Sequence, residues 1–291
     1  MGELYFDSRG IISKIAAVES DIKKILADPF TFHYMIGAER SENPNFDVQV
    51  IPDSSVKDFV SLDYPLCRYN HLFDHREIVV LAEYLMERCR QEKKGCYSLS
   101  SASASFRDSA VLFFGGATHL GKTSSMLTLV QKCGFEFLSD EKSIISLDAL
   151  EILPGANSVP TRKKIIRDRF FNSDASQGFA QLVQANQNKK AKLFIYPHLD
   201  HGLEKPICYR LEPLDFFWLL TREFSSVIRG SVRMVNNFSY LIPSLDTQDL
   251  ANKRIASTKN FCNMVPCYYF QGSLDQIEKY IPEMLAKECS K

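Results

Sequence analysis

The chain has 291 residues, 45% of them hydrophobic and 24% charged, the composition of a globular protein with apolar surface enough for a substantial core. Lys plus Arg and Asp plus Glu both number 35, so the formal net charge is zero. That excludes a global basic field able to gather nucleic acid or an anionic membrane surface, and leaves any phosphate chemistry to a local arrangement of positive groups.

Near the N-terminus, residues 4–6, a turn at 8–10 and the run 11–18 read as a hairpin, and 21–27 as a short helix that stops before Pro29. No basic stretch followed by an apolar run marks a signal peptide, and no segment is long and apolar enough to span a membrane. A polar stretch at 41–45 leads to the apolar run 48–52. These are the ingredients of a small N-terminal α+β subregion, residues 1–75. From His75 to Arg90, the residues Ile78, Val79, Ala82, Leu85 and Met86 recur at helical spacing and predict an amphipathic helix that ends at 93–95. The boundary with the main body, residues 76–291, is therefore placed near residue 75. Segment 98–105 (SLSSASAS) alternates, and reads equally as a small-residue strand or a loop.

The run 109–114 (SAVLFF) has the signature of a buried strand. It leads through Gly115 into Gly116, Ala117, Thr118, His119, Leu120, Gly121, Lys122 and Thr123, which fit the P-loop pattern G-x-x-x-x-G-K-[ST], with Ser124 following. Next comes a helix with Met126, Leu129, Val130 and Cys133 on one face, stopped by Gly134. Glycines let the backbone curl so that consecutive N–H groups aim at phosphate oxygens, and the helix N-terminus adds its partial positive charge. On this reading Lys122 bridges the outer phosphates of ATP or another nucleoside triphosphate, and Thr123 offers its hydroxyl to Mg2+. A Gly-rich turn that binds nothing is the bland alternative; strand, helix and the Lys-Thr pair together weigh against it. His119 is expected on the surface.

Shortly after the helix, 135–139 is a strand-like run that delivers Asp140 and Glu141 at its end. Such a pair suits phosphoryl transfer, one carboxylate holding Mg2+ and the other accepting the proton of an attacking hydroxyl. The expected catalytic residues are thus Lys122, Asp140 and Glu141, with Thr123 and Asp140 toward the metal. A solvated turn is the alternative for an isolated Asp-Glu, and proximity to the loop argues against it.

Further strand-like runs lie at 143–147 and 193–196, and 274–287 predicts a helix broken near Pro282. The basic cluster of Thr161, Arg162, Lys163, Lys164, Arg167 and Arg169 reads as a phosphate clamp or, more simply, a solvated face. His198, Asp200 and His201 look like a metal loop but lack further ligands at a known spacing. Phe216, Trp218 and Leu220 mark a core-facing helix, and Arg222, Arg229 and Arg233 are candidates for transition-state charge. Eight cysteines, at 67, 89, 96, 133, 208, 262, 267 and 289, form neither a C-x-x-C pair nor a zinc spacing, so free thiols in a reducing cytoplasm are expected.

Small-molecule kinases of the shikimate and gluconate type also carry an acid soon after a P-loop, but their loop opens the chain and a helix follows the acid. Here about two-fifths of the chain precedes the loop, and a second strand-like run follows Glu141. This order resembles the HPr kinase/phosphorylase family, whose fold is shared with phosphoenolpyruvate carboxykinase. The matching residues are 116–123, then Gly134 with its apolar run and Asp140-Glu141, the strand and proline at 144–154, and 265–270 followed by 272–275. The likeness runs from roughly Gly95 to Ile277. It implies an α/β fold of mixed α+β sheet type, with a P-loop kinase core. It also implies an ATP/Mg2+-dependent transfer of the γ-phosphate to a serine of a protein or ribosomally made peptide, with Glu141 standing where relatives have the general base, and assembly into homo-oligomers. Where relatives carry a histidine before the loop, this chain has Leu99, Ser100, Ser101 and Ala102, which implies a one-way kinase. A small-molecule hydroxyl kinase and a nucleotide-binding regulatory protein without an acceptor remain the alternatives.

Overall fold

The structure is a computed structural model that describes every residue except Asp58, His71, Thr118, 162–165, Arg167, Asp168, 172–177, Asn236, Asn237 and Lys291. The expected N-terminal hairpin is β1 (Gly2–Ser8) paired antiparallel with β2 (Ile12–Ala17). After it come α1 (Glu19–Ala27), α2 (Pro29–Tyr34), β3 (Ala38–Arg40), β4 (Val48–Pro52), β5 (Val60–Asp63), β6 (Leu66–Tyr69) and α3 (His75–Lys94). The strands form a six-stranded sheet in the order β3-β1-β2-β4-β6-β5. Period-two alternation buries Leu4, Phe6, Ile15, Val48 and Val50, and the predicted stripe of α3 enters the same cluster through Ile78, Val79, Ala82, Leu85 and Met86.

Asp74 starts α3 by accepting the N–H groups of Arg76 (2.9 Å) and Glu77 (3.0 Å), and Gly95 at φ 58° ends it. Asp74→Ala is expected to lower stability by about 1 kcal/mol, read as a lower urea midpoint at unchanged slope. An unmoved midpoint would show that the cap contributes nothing net. Within the helix, buried Arg90 donates to Glu83, Glu87 and Ser8, tying α3 to β1.

Because the apolar face of α3 is buried on this sheet, the first compact unit runs to Gly95, beyond the boundary expected near residue 75. It also takes in a later segment, Ser225–Asn252, which brings Ile228, Tyr240, Ile242 and Leu245 into the same core.

The second unit, Cys96–Phe224 with Lys253–Lys291, opens with β7 (Cys96–Phe106), β8 (Ser109–Phe114), α4 (Lys122–Lys132), β9 (Glu136–Ser139), β10 (Lys142–Ser146) and β11 (Glu151–Leu153). It continues with β12 (Ser158–Pro160), β13 (Phe179–Gln181), β14 (Lys189–Leu199), β15 (Ile207–Arg210) and α5 (Pro213–Ser226). The hairpin β16 (Ser231–Val235) and β17 (Phe238–Ile242) belongs to the first unit, and the chain ends with α6 (Gln248–Met264), β18 (Cys267–Gly272) and α7 (Leu274–Cys289). An eight-stranded mixed sheet runs β11-β10-β7-β8-β14-β18-β15, with β9 also on β7. The strands β8, β14 and β18 are mutually parallel. Met126, Leu129, Ile277 and Ile281 of α4 and α7 share one cluster with Phe113, Leu193 and Ile195 of the sheet. Phe216, Leu220, Phe224 and Phe261 of α5 and α6 share another with Leu112, Phe114 and Phe194.

Segment 98–105 is strand rather than loop. Its polar composition is tolerated because the buried hydroxyls of Ser101 and Ser103 bond to those of Ser139 and Ser143 at 2.7–3.0 Å. The helix α7 does not break at Pro282 but runs through it, started by a Ser273–Gln276 capping box. Proline removes one N–H from the helix, and the carbonyl four residues earlier, that of Glu278, accepts the Cys133 thiol at 3.6 Å instead. Among the described residues no helix is long and apolar enough to cross a membrane.

Candidate phosphate-binding site

Residues 115–121 join the end of β8 to the start of α4, at the C-terminal ends of parallel strands, where an open α/β sheet leaves a crevice. The loop is closely packed from below. Gly121, at φ 93°, starts α4, and a Cβ there would fall inside the Leu199 side chain at the end of β14. Leu199 in turn donates its N–H to the Leu120 carbonyl at 3.3 Å. Only glycine meets both the left-handed backbone and the close approach. His119 is exposed, as expected, and Ala117 and Ser124 lie in the loop and the first turn of α4. Thr118 and the expected cluster at Arg162, Lys163, Lys164 and Arg167 fall outside the described residues.

Lys122 folds back over the loop, its Nζ donating to the carbonyls of Gly115 (2.5 Å) and Ala117 (3.0 Å). A cation is thereby held at the mouth of a ring of backbone groups at a helix N-terminus. Thr123, one residue on, points its hydroxyl at Asp140 and donates to Oδ1 at 2.8 Å.

The position of Asp140 follows from a break in the sheet. Both β9 and β10 pair antiparallel with β7, on either side of Asp140 and Glu141. The chain turns there with Glu141 at φ 62°, its carbonyl accepting the Ser101 N–H at 3.1 Å. Residues on a continuous strand would alternate faces; the corner instead sends Asp140 inward and leaves Glu141 exposed. Asp140 is 1% exposed, and its Oδ2 has no hydrogen-bond partner among the described residues. Burial pushes its carboxyl up to about 7; the Thr123 hydroxyl and the Glu141 N–H oppose this, while the Glu141 charge adds to it. A buried carboxylate oxygen without a partner is costly unless something else is meant to bind it.

A third acid reaches the loop that the sequence pattern did not single out. Glu223, near the end of α5, accepts the Gly116 N–H, and a Cβ on Gly116 would lie 2.6 Å from its Oε1. Burial raises its carboxyl, and the neighbouring charges of Arg222 and Lys122 pull the other way. The signal was present but faint: Glu223 follows Phe216 and Leu220 at i+7 and i+3, so an acid occupies the stripe that faces the core.

Of the arginines considered, Arg222 lies on α5 next to Glu223, whereas Arg233 makes a two-point bond with Glu77 (3.0 and 3.0 Å) within the first unit, to which Arg229 also belongs. In the 198–201 segment, Asp200 is engaged by the Gly202 N–H (2.8 Å) and by Gln271 (2.9 Å), and no group of three metal-ligating side chains occurs among the described residues. Phe216 and Leu220 are buried as expected, but Trp218 on the same helix is 63% exposed.

Comparison with protein-family models and with curated proteins gives no match for this chain.

Proposed function

We propose that the chain is an ATP/Mg2+-dependent kinase that moves the γ-phosphate to a hydroxyl, with a serine of a protein or peptide as acceptor. The observation that carries this reading is the meeting of the Thr123 hydroxyl with the buried, half-satisfied carboxylate of Asp140 directly behind a Gly-Lys-Thr loop. Phosphate oxygens would take the loop N–H groups and Lys122, which exchanges its two carbonyl partners for the outer phosphates.

Thr123 and Asp140 are the residues that would hold Mg2+. Two protein oxygens suffice, since this ion keeps several waters and takes phosphate oxygens as further ligands. When bound, the ion would neutralise charge developing on the phosphates. The partnerless Oδ2 is the atom that fits it. That a strand, β10, rather than a helix follows the acid pair supports the HPr kinase-like resemblance over the shikimate type.

The test is incubation with [γ-32P]ATP, Mg2+ and three acceptor sets: serine-containing peptides, candidate proteins and small alcohols. Label on a peptide or protein serine is expected. Failure of the protein to bind ATP in calorimetry would end the nucleotide reading, and label only on small alcohols would move the acceptor class.

A further inference from the structure

We infer that Glu223 is a further catalytic residue of this site, the group that takes the proton from the acceptor hydroxyl. The inference rests on the kinase reading and assigns a role that its two loop-proximal acids fill poorly. Asp140 is wholly buried and bonded to Thr123, which commits it to the metal side. Glu141 is exposed on a tight corner whose backbone, not side chain, is what the sheet holds.

Glu223 differs from both. It comes from another element, α5, and its carboxylate is seated on the first glycine of the loop through the Gly116 N–H. It also lies within electrostatic reach of Lys122, the side chain whose span covers the outer phosphates. With the outer phosphates on Lys122, as the kinase reading has them, a carboxylate beside that side chain would face the transferring group. Partial burial raises its proton affinity, which suits a base working near neutral pH. The approach of Gly116 and Glu223 is close enough that a side chain at 116 would displace the Glu223 carboxylate from the loop.

The step balances without any further reagent. The acceptor O–H bond breaks and its proton passes to the Glu223 carboxylate, while the acceptor oxygen forms a bond to the γ-phosphorus of ATP. The bond from that phosphorus to the β,γ-bridging oxygen breaks, its electron pair leaves on ADP, and Glu223 then returns the proton to solvent.

The test compares wild type, Glu223→Gln and Glu223→Asp, measuring ATP affinity by calorimetry and turnover of [γ-32P]ATP·Mg2+ with a degenerate serine-peptide mixture and with water as acceptors. Expected is a fall in kcat of about 10²-fold or more for Glu223→Gln, at ATP affinity unchanged or higher, with part of the rate kept in Glu223→Asp. If the Gln variant does not fold by circular dichroism, the Asp variant carries the test through the same split of lowered kcat at unchanged affinity. Turnover within about threefold of wild type overturns the proposal, whether or not ATP binds more tightly. So does a parallel loss of ATP affinity and rate, which would make Glu223 only a support for the loop, and so does a wild-type protein that binds ATP but turns over neither acceptor. A wild-type protein that does not bind ATP removes the kinase reading itself.

Discussion

Lys122→Ala is expected to lower phosphate transfer by about 10³-fold or more while leaving the fold in place. In the structure the Lys122 ammonium bonds to the carbonyls of Gly115 and Ala117, both in its own loop. Losing two such bonds, one of them exposed, costs about 1 kcal/mol, which for a unit of this size lowers the melting temperature by a few degrees at most, roughly 2–4 °C. For the triphosphate the loss is far larger, because a charge aimed at the transferring group is worth most in the transition state. Steady-state transfer and a thermal melt on the same preparation separate the two. An unchanged rate would defeat the loop assignment, and an unfolded variant would mean that Lys122 supports the fold far more than its two bonds suggest.

Asp140→Asn is expected to make the protein more stable above neutral pH and inactive at the same time. The carboxyl of Asp140 is moved from 3.8 to about 7 by burial, so the folded state binds a proton that the unfolded chain has already lost. For an acid raised in this way, the folded-state contribution is fully present below pH 3.8 and is lost as pH rises through about 7. Wild-type stability should therefore decline between those limits and level off above them, by roughly 4 kcal/mol in all. Asparagine keeps the shape and cannot ionise, but its amide leaves donors where Oδ2 had no partner, which takes back about 1–3 kcal/mol. In urea titrations the variant should be no more stable than wild type at pH 5 and clearly more stable at pH 8.5. Equal differences at the two pH values would show that Asp140 does not titrate as its burial implies. Mg2+ with ATP should raise the wild-type midpoint at pH 8.5 by more than that of the variant, which keeps the loop and Lys122 but loses one oxygen for the ion.

Legibility in the sequence followed distance along the chain. The Gly-Lys-Thr loop was readable because its requirements are local: a left-handed glycine at 121 and a lysine and hydroxyl on the first helical turn are consecutive residues. Asp140 and Glu141 were readable as a pair at a strand end. Which of them turns inward depends on two short strands sharing one edge of β7, a pairing that no local pattern specifies. Glu223 was missed because a single acid on the stripe of an apolar helix has no meaning until the helix is laid over Gly116. The serines of β7 were ambiguous for a related reason, since their partners Ser139 and Ser143 sit on other strands. The unit boundary lies at Gly95 rather than near 75 because the apolar face of α3 packs on the first sheet, so the contacts change only where that helix ends.

A ribosome that has released residues 1–95 has made the first sheet without Ile228, Tyr240, Ile242 and Leu245, all of which belong to its core. Those side chains emerge only after the whole of Cys96–Phe224 has been synthesised. The second sheet waits in the same manner for β18, which must enter between β14 and β15 after both are already made. Neither unit is a continuous stretch of the gene, so a fragment cut at Gly95 would leave an apolar face uncovered, and the nascent chain must be kept from self-association until its last strand arrives.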